Sequence, residues 1–177
     1  MGKITQGSGE EKRIIWASAI IVGVLVLIDQ ITKCMIIDKF PQVGDSVVIT
    51  SFFNINHVRN LGAAWGMFSG YGYVLLSFSV IVLIALIYFM RHLTEGWRER
   101  YIALSMVASG IIGNSIDRLW HHSVVDFLDF HINQHHWPSF NIADSAITVG
   151  VTIFIISSFL RPETKKGDEL SENPTNG

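Results

Sequence analysis

Apolar positions gather into four long runs, roughly Ile14–Ile37, Tyr71–Met90, Tyr101–Leu119 and Asn141–Leu160, separated by stretches in which polar residues dominate. A helix needs about 20 mostly apolar residues to span a hydrocarbon core of about 30 Å, and each run is long enough or nearly so. The second carries no charge between Arg59 and Arg91; the first contains Asp29 and Lys33, the third ends in Asp117 and Arg118, and the fourth begins near Asp144. The pattern predicts a mainly α membrane protein with four transmembrane helices, forming one domain over residues 1–160. The remainder, "RPETKKGDELSENPTNG", is polar and aperiodic and reads as a disordered tail over 161–177.

Between the first two runs the period changes. In "SVVITSFFNINHVRN" Phe53, Ile55, His57 and Arg59 alternate with Asn54, Asn56, Val58 and Asn60, among β-branched and aromatic neighbours. Alternation of this kind marks strands, so the loop over about 38–70 is expected to hold a small extracytoplasmic β-sheet. The glycine-rich "NLGAAWGMFSGYG" that follows suits a re-entrant or interfacial segment, with Trp65 in the interfacial belt.

Composition supports a membrane setting: 49% of the 177 residues are hydrophobic, 16% are charged, and the mean hydropathy is +0.38. The net charge of -2 says little about partners, and no nucleic-acid partner is expected. The single cysteine, Cys34, excludes an intramolecular disulfide and a multi-cysteine metal site. Lys12 and Arg13 before the uncharged Ile14–Ile28 resemble the start of a signal peptide. No small-x-small cleavage pattern follows, and Lys33 beside Cys34 argues against lipid attachment, so the segment is read as a retained helix.

Lysines and arginines then orient the chain. Lys3, Lys12, Arg13, Arg91, Arg98, Arg100, Arg161, Lys165 and Lys166 fall on one side of a four-helix topology, against Lys39 and Arg59 on the other. The positive-inside rule places both termini in the cytoplasm and the loops Asp38–Gly70 and Trp120–Phe140 outside.

Ionisable groups at membrane depth are costly and by default suggest function. With this topology Asp29, Lys33, Asp117, Arg118, Asp126 and Asp144 all converge near the outer face. Asp29 and Lys33 stand at i, i+4, the spacing of an ion pair on one helix face. Asp117 and Arg118 are neighbours that point apart, so each is expected to pair elsewhere. Ser105, Ser109 and Gly113 recur every four residues, as in close helix packing, and Gly110, Asn114 and Asp117 share a face. Asp126 and Asp144 each place a carboxyl among apolar neighbours. Asp144 has an alternative reading as a helix N-cap.

Two carboxyls in a partly dry site do not both ionise cheaply; one holds a proton while the other remains a base. Such a pair can activate water against an amide and protonate the departing nitrogen. The histidines His122, His131, His135 and His136 offer a competing reading as zinc ligands, although their spacing forms no recognised ligand pattern. A proton-relaying transporter using Asp29, Lys33 and Asp117 is a third. It would require polar pairs on both sides of the midplane.

Five blocks, "DQITK" (Asp29–Lys33), "NLGAAWG" (Asn60–Gly66), "GNSIDR" (Gly113–Arg118), "VVDF" (Val124–Phe127) and "FNIADSAI" (Phe140–Ile147), together and in order resemble the signature of the lipoprotein signal peptidase (signal peptidase II) family. The resemblance implies a bacterial inner-membrane aspartic endopeptidase that removes the signal peptide from diacylglyceryl-modified prolipoproteins. It implies Asp126 and Asp144 as the catalytic pair, with no metal and no cofactor. Asp29, Lys33, Asn60, Gly62, Asn114, Asp117, Arg118, Asn141 and Ala143 are implied to support the site or bind substrate. The expected partners are prolipoproteins and membrane lipids, and the expected state is a monomer. The external sheet and the "NLGAAWG" segment are expected to cradle the substrate.

Overall fold

The computed structural model describes residues 3–5, 7–62 and 67–161. Four helices, α1 (Gly9–Lys39), α2 (Gly72–Thr94), α3 (Arg98–His121) and α4 (Ile142–Leu160), carry a four-stranded sheet of β1 (Ser46–Thr50), β2 (Phe53–Asn60), β3 (Val124–Ile132) and β4 (His135–His136). Most of "NLGAAWG", including Trp65, lies outside the described residues, as does the tail beyond Arg161.

Each helix begins and ends where local chemistry requires. The Ser8 side chain caps α1 by accepting from the Glu11 amide at 3.1 Å. Pro41 follows its last turn and restricts Phe40, which leaves the helical region at φ -125° and ψ 74°. The turn between α2 and α3 passes through Glu95 at φ 48° and Gly96 at φ 81°, so the chain reverses within three residues. The helices therefore extend past the apolar runs: Arg91 belongs to α2, and Arg98 and Arg100 to α3, rather than to a loop.

Helices α1, α2 and α4 are long and apolar enough to cross a membrane. By the same measure α3, the expected third span, is not among them. Its face is spent on small and polar side chains because it is the central helix, packed against the other three, and Tyr101, Ala103, Leu104, Ser105, Ala108, Ser109, Gly110, Gly113, Asn114 and Asp117 are buried along it. Close approach explains the glycines. A Cβ at Gly110 would stand 2.2 Å from the Ala143 carbonyl oxygen, and one at Gly150 would stand 2.6 Å from that of Ala103. Gly113 similarly admits the Asp29 carboxylate.

The sheet is antiparallel throughout, in the order β1-β2-β3-β4. The first external loop was expected to supply it alone, yet two of the strands come from the segment between α3 and α4, so Asp126 lies on a strand rather than in a loop. β3 pairs with β2 through Asn60↔Val124, Val58↔Asp126 and Asn54↔Asp129. Its alternation divides the labour of its two faces. Val125 and Phe127 pack with Ile36 in a small core also touched by Phe40 and Ile142, while Val124 and Asp126 face the cavity described below.

Candidate active site

Asp126 is 2% exposed. Its Oδ1 accepts from Asn141 Nδ2 at 2.7 Å and its Oδ2 from Asn60 Nδ2 at 2.9 Å. Asn60 has no freedom to turn over, because its Oδ1 accepts from the Gly62 amide at 2.9 Å. Burial, and after it the charge of Asp144, push the Asp126 carboxyl up to about 7 despite the two amide donors and the charge of Lys33.

Asp144 stands in the first turn of α4, but the N-cap is Asn141. The two form a capping box: the Asn141 side chain accepts from the Asp144 amide at 2.9 Å, and Asp144 Oδ2 accepts from the Asn141 amide at 3.1 Å. The capping reading is thus right about the helix end and misplaced by three residues. Asp144 Oδ1 accepts from Asn114 Nδ2 at 2.7 Å. Asn141 reaches both acids, one through its side-chain amide and one through its backbone.

Behind this pair lies a buried ionic group. Lys33 Nζ is 2.8 Å from Asp29 Oδ2 and 3.0 Å from Asp117 Oδ2, with all three side chains 1–2% exposed, and it donates to Asn114 Oδ1 at 3.1 Å. The i, i+4 pair is present as expected. Asp117 and Arg118 do part company, since Arg118 donates to the Gly62 carbonyl at 3.1 Å. Ala143 contributes its backbone, donating to Asp29 Oδ1 at 2.9 Å. Gln30 was missed: its Nε2 bonds Asp29 Oδ2 and Asp117 Oδ1, both at 3.1 Å, and the Gly113 carbonyl at 3.2 Å. Its signal was an uncharged polar residue inside an apolar run.

Asp126 and Asp144 line one cavity of about 1000 Å³, with Asn60, Gly62, Asn114 and Arg118. From this polar end it extends along the helices to Ser79 of α2, Ile111 of α3 and Thr148 of α4. Asp29, Lys33 and Asp117 are not part of its wall. The site therefore has two layers, a pair of acids facing the cavity and a charged brace behind them.

The histidines serve elsewhere. His136 Nδ1 lies 2.9 Å from Asp129 Oδ1, and its ring stacks on His131 with centroids 4.8 Å apart. His122 ends α3 with φ 56°. Among the described residues no group of three or more His, Cys, Asp or Glu is arranged to hold a metal ion. Nor are charges confined to one end of the bundle. At the other end Arg100, 4% exposed, pairs with Glu95 at 2.8 Å and donates to the Arg161 carbonyl at 2.8 Å, and buried Glu11 pairs with Arg91 at 3.0 Å.

Fold and site together define a helical membrane protein in which one buried acid, Asp126, and one half-buried acid, Asp144, line a cavity that runs between its helices. A family model described as Signal peptidase (SPase) II matches residues 21–160. The chain belongs to that family, membrane proteases of lipoprotein processing. It is 40% identical over 161 residues to the lipoprotein signal peptidase of Staphylococcus aureus, covering 90% of this chain and 98% of that one. It is 37% identical over 149 residues to that of Clostridium acetobutylicum, covering 84% and 97%. A solved bacterial membrane enzyme superposes with a TM-score of 0.78 at 38% identity, covering 94% of this chain and 97% of that chain.

Proposed function

We propose that this chain is an aspartic endopeptidase that removes the signal peptide from diacylglyceryl-modified bacterial prolipoproteins, cutting on the N-terminal side of the lipidated cysteine. Asp126 and Asp144 share one proton. The ionised member takes a proton from water as its oxygen attacks the scissile carbonyl carbon; the protonated member polarises the carbonyl. Collapse of the tetrahedral intermediate breaks the C–N bond, and a proton passes from the pair to the departing nitrogen. Asn60, Asn114 and Asn141 hold the carboxyls in place, and Arg118 with the Gly62 backbone frames the cavity beside them. No covalent acyl-enzyme, metal or cofactor enters these steps.

Support comes above all from one observation: two acids delivered by different elements, a strand and a helix, line a single cavity. Its extension among α2, α3 and α4 suits an apolar segment that reaches the site from within the bilayer. In this reading α3 is a fourth span, shielded from lipid by its neighbours. Both termini are cytoplasmic, with Arg91, Arg98 and Arg161 at that end, and the acids stand near the outer face of the inner membrane. The enzyme acts as a monomer.

The test is cleavage of a diacylglyceryl-modified prolipoprotein by purified, folded wild type, Asp126→Asn, Asp144→Asn and Asp117→Asn, each with and without EDTA. Turnover abolished by the first two substitutions, partly kept by the third and indifferent to EDTA is the expected result. A wild type stopped by chelation, with either of the first two variants still active, would sink it and bring the histidines forward.

A further inference from the structure

Three donors radiate from the Lys33 ammonium, and each has its own acceptor: Asp29 Oδ2, Asp117 Oδ2 and Asn114 Oδ1. What those acceptors hold in turn is specific. Asp29 accepts from the amide of Ala143, the residue before Asp144, at 2.9 Å. Asp117 accepts from the amide of Val125, the residue before Asp126, at 3.0 Å. Asn114, its oxygen occupied by Lys33 and by Asn141 Nδ2 at 3.2 Å, can only point its Nδ2 at Asp144. One buried cation thus reaches the backbone beside both cavity acids and the side-chain donor of one of them. Gln30 ties Asp29 to Asp117 by a second route.

We propose that Lys33 is the positioning residue of the aspartate pair: it sets the separation of Asp126 and Asp144 by bracing the strand and the helix that carry them. This rests on the dyad reading above and adds to it a residue that touches neither substrate nor cavity. A simple ion pair on one helix face needs only Asp29. The second and third partners, Asp117 and Asn114 from α3, and the two backbone amides beyond the carboxylates are what an insertion role leaves unexplained. Without the cation, two buried carboxylates, Asp29 and Asp117, lose their shared counter-charge.

Two variants of the full-length, detergent-purified enzyme test this, with thermal unfolding as the check on folding and with wild type and Asp126→Asn as references. Lys33→Met is expected to lower kcat about 100-fold, as a misplacement of about 1 Å does, with little change in KM. Its pH–rate profile should move to higher pH, because a cation that favours the ionised Asp126 has gone. Lys33→Met/Asp117→Asn removes one charge of each sign. It is expected to return the profile to its wild-type position while kcat stays at least about tenfold low, since Asn114 still lacks the donor that orients it. Wild-type turnover in either variant, or a double variant whose profile stays displaced, overturns the proposal. If only the single variant fails to fold, the double decides. If neither folds, Lys33 belongs to assembly of the bundle and the proposal is wrong. A wild type without activity, or an active Asp126→Asn, would instead indict the dyad.

Discussion

The side-chain amide of Asn141 donates to Asp126 Oδ1 at 2.7 Å from the N-cap of the helix that carries Asp144. The residue that starts α4 therefore also ties that helix to β3. The two tasks separate by substitution. In Asn141→Ser the hydroxyl still caps the helix, but it is too short to reach Asp126. The unfolding temperature should stay within a few degrees of wild type, while turnover falls roughly 10- to 100-fold, as loss of a charge-assisted hydrogen bond of about 1.5–3 kcal/mol requires. Equal loss of stability and activity would contradict the division.

On the proposed dyad mechanism, Asp126 governs the pH profile of cleavage. With its carboxyl pushed up to about 7 by burial and by Asp144, the singly protonated pair persists to near neutrality and is lost above it. The alkaline limb of kcat should therefore fall near pH 7, reported as an apparent value of the coupled pair. Activity unchanged from pH 6 to pH 9 would be inconsistent with this.

The same displacement has a consequence for stability. A carboxyl whose folded value is raised binds its proton more tightly when folded, so its contribution is fully present below the unfolded value of 3.8 and is lost as pH rises to about 7. Asp126→Asn has no proton to lose. It should unfold at a temperature similar to wild type at pH 4 and at a clearly higher one at pH 8. An equal difference at both pH values would contradict the assignment.

Close packing of α3 on α4 sets where Asp144 stands. A methyl at Gly110 would lie 2.2 Å from the Ala143 carbonyl oxygen and 2.5 Å from an Ile147 side-chain carbon, so Gly110→Ala must push the start of α4 away. A loss of about 1–3 kcal/mol is expected, together with a fall in turnover. Gly23→Ala, where nothing lies within 4 Å, is the control and should be neutral or slightly stabilising. Similar behaviour of the two in thermal unfolding would refute the packing argument.

At the far end, Arg100→Met strips the buried Glu95 pair and the bond to the Arg161 carbonyl. The unfolding temperature should drop by several degrees while the pH–rate profile keeps its shape, because no partner of Arg100 touches the cavity acids. A shifted profile would show that the two ends communicate.

Hydrophobic runs and residue identity alone determined that this chain is mainly helical and membrane-bound, that it carries a strand-forming loop, and that several aspartates, Asp126 and Asp144 among them, stand beside apolar neighbours; the choice of that pair came from the resemblance in the five motif blocks. These follow from local properties: the length of an apolar run, a period of two, and the high cost of a carboxyl among apolar neighbours. Tertiary structure decided the rest. Strand pairing between β2 and β3 joined segments separated by α2 and α3, so no window of the sequence displays the sheet to which Asp126 belongs. Burial by three neighbours, not its own hydropathy, accounts for α3. The chain of bonds from Lys33 through Asp29 and Asp117 to the amides before each acid depends on where three helices and a strand meet, and side-chain reach there is a few ångströms whatever the distance along the chain.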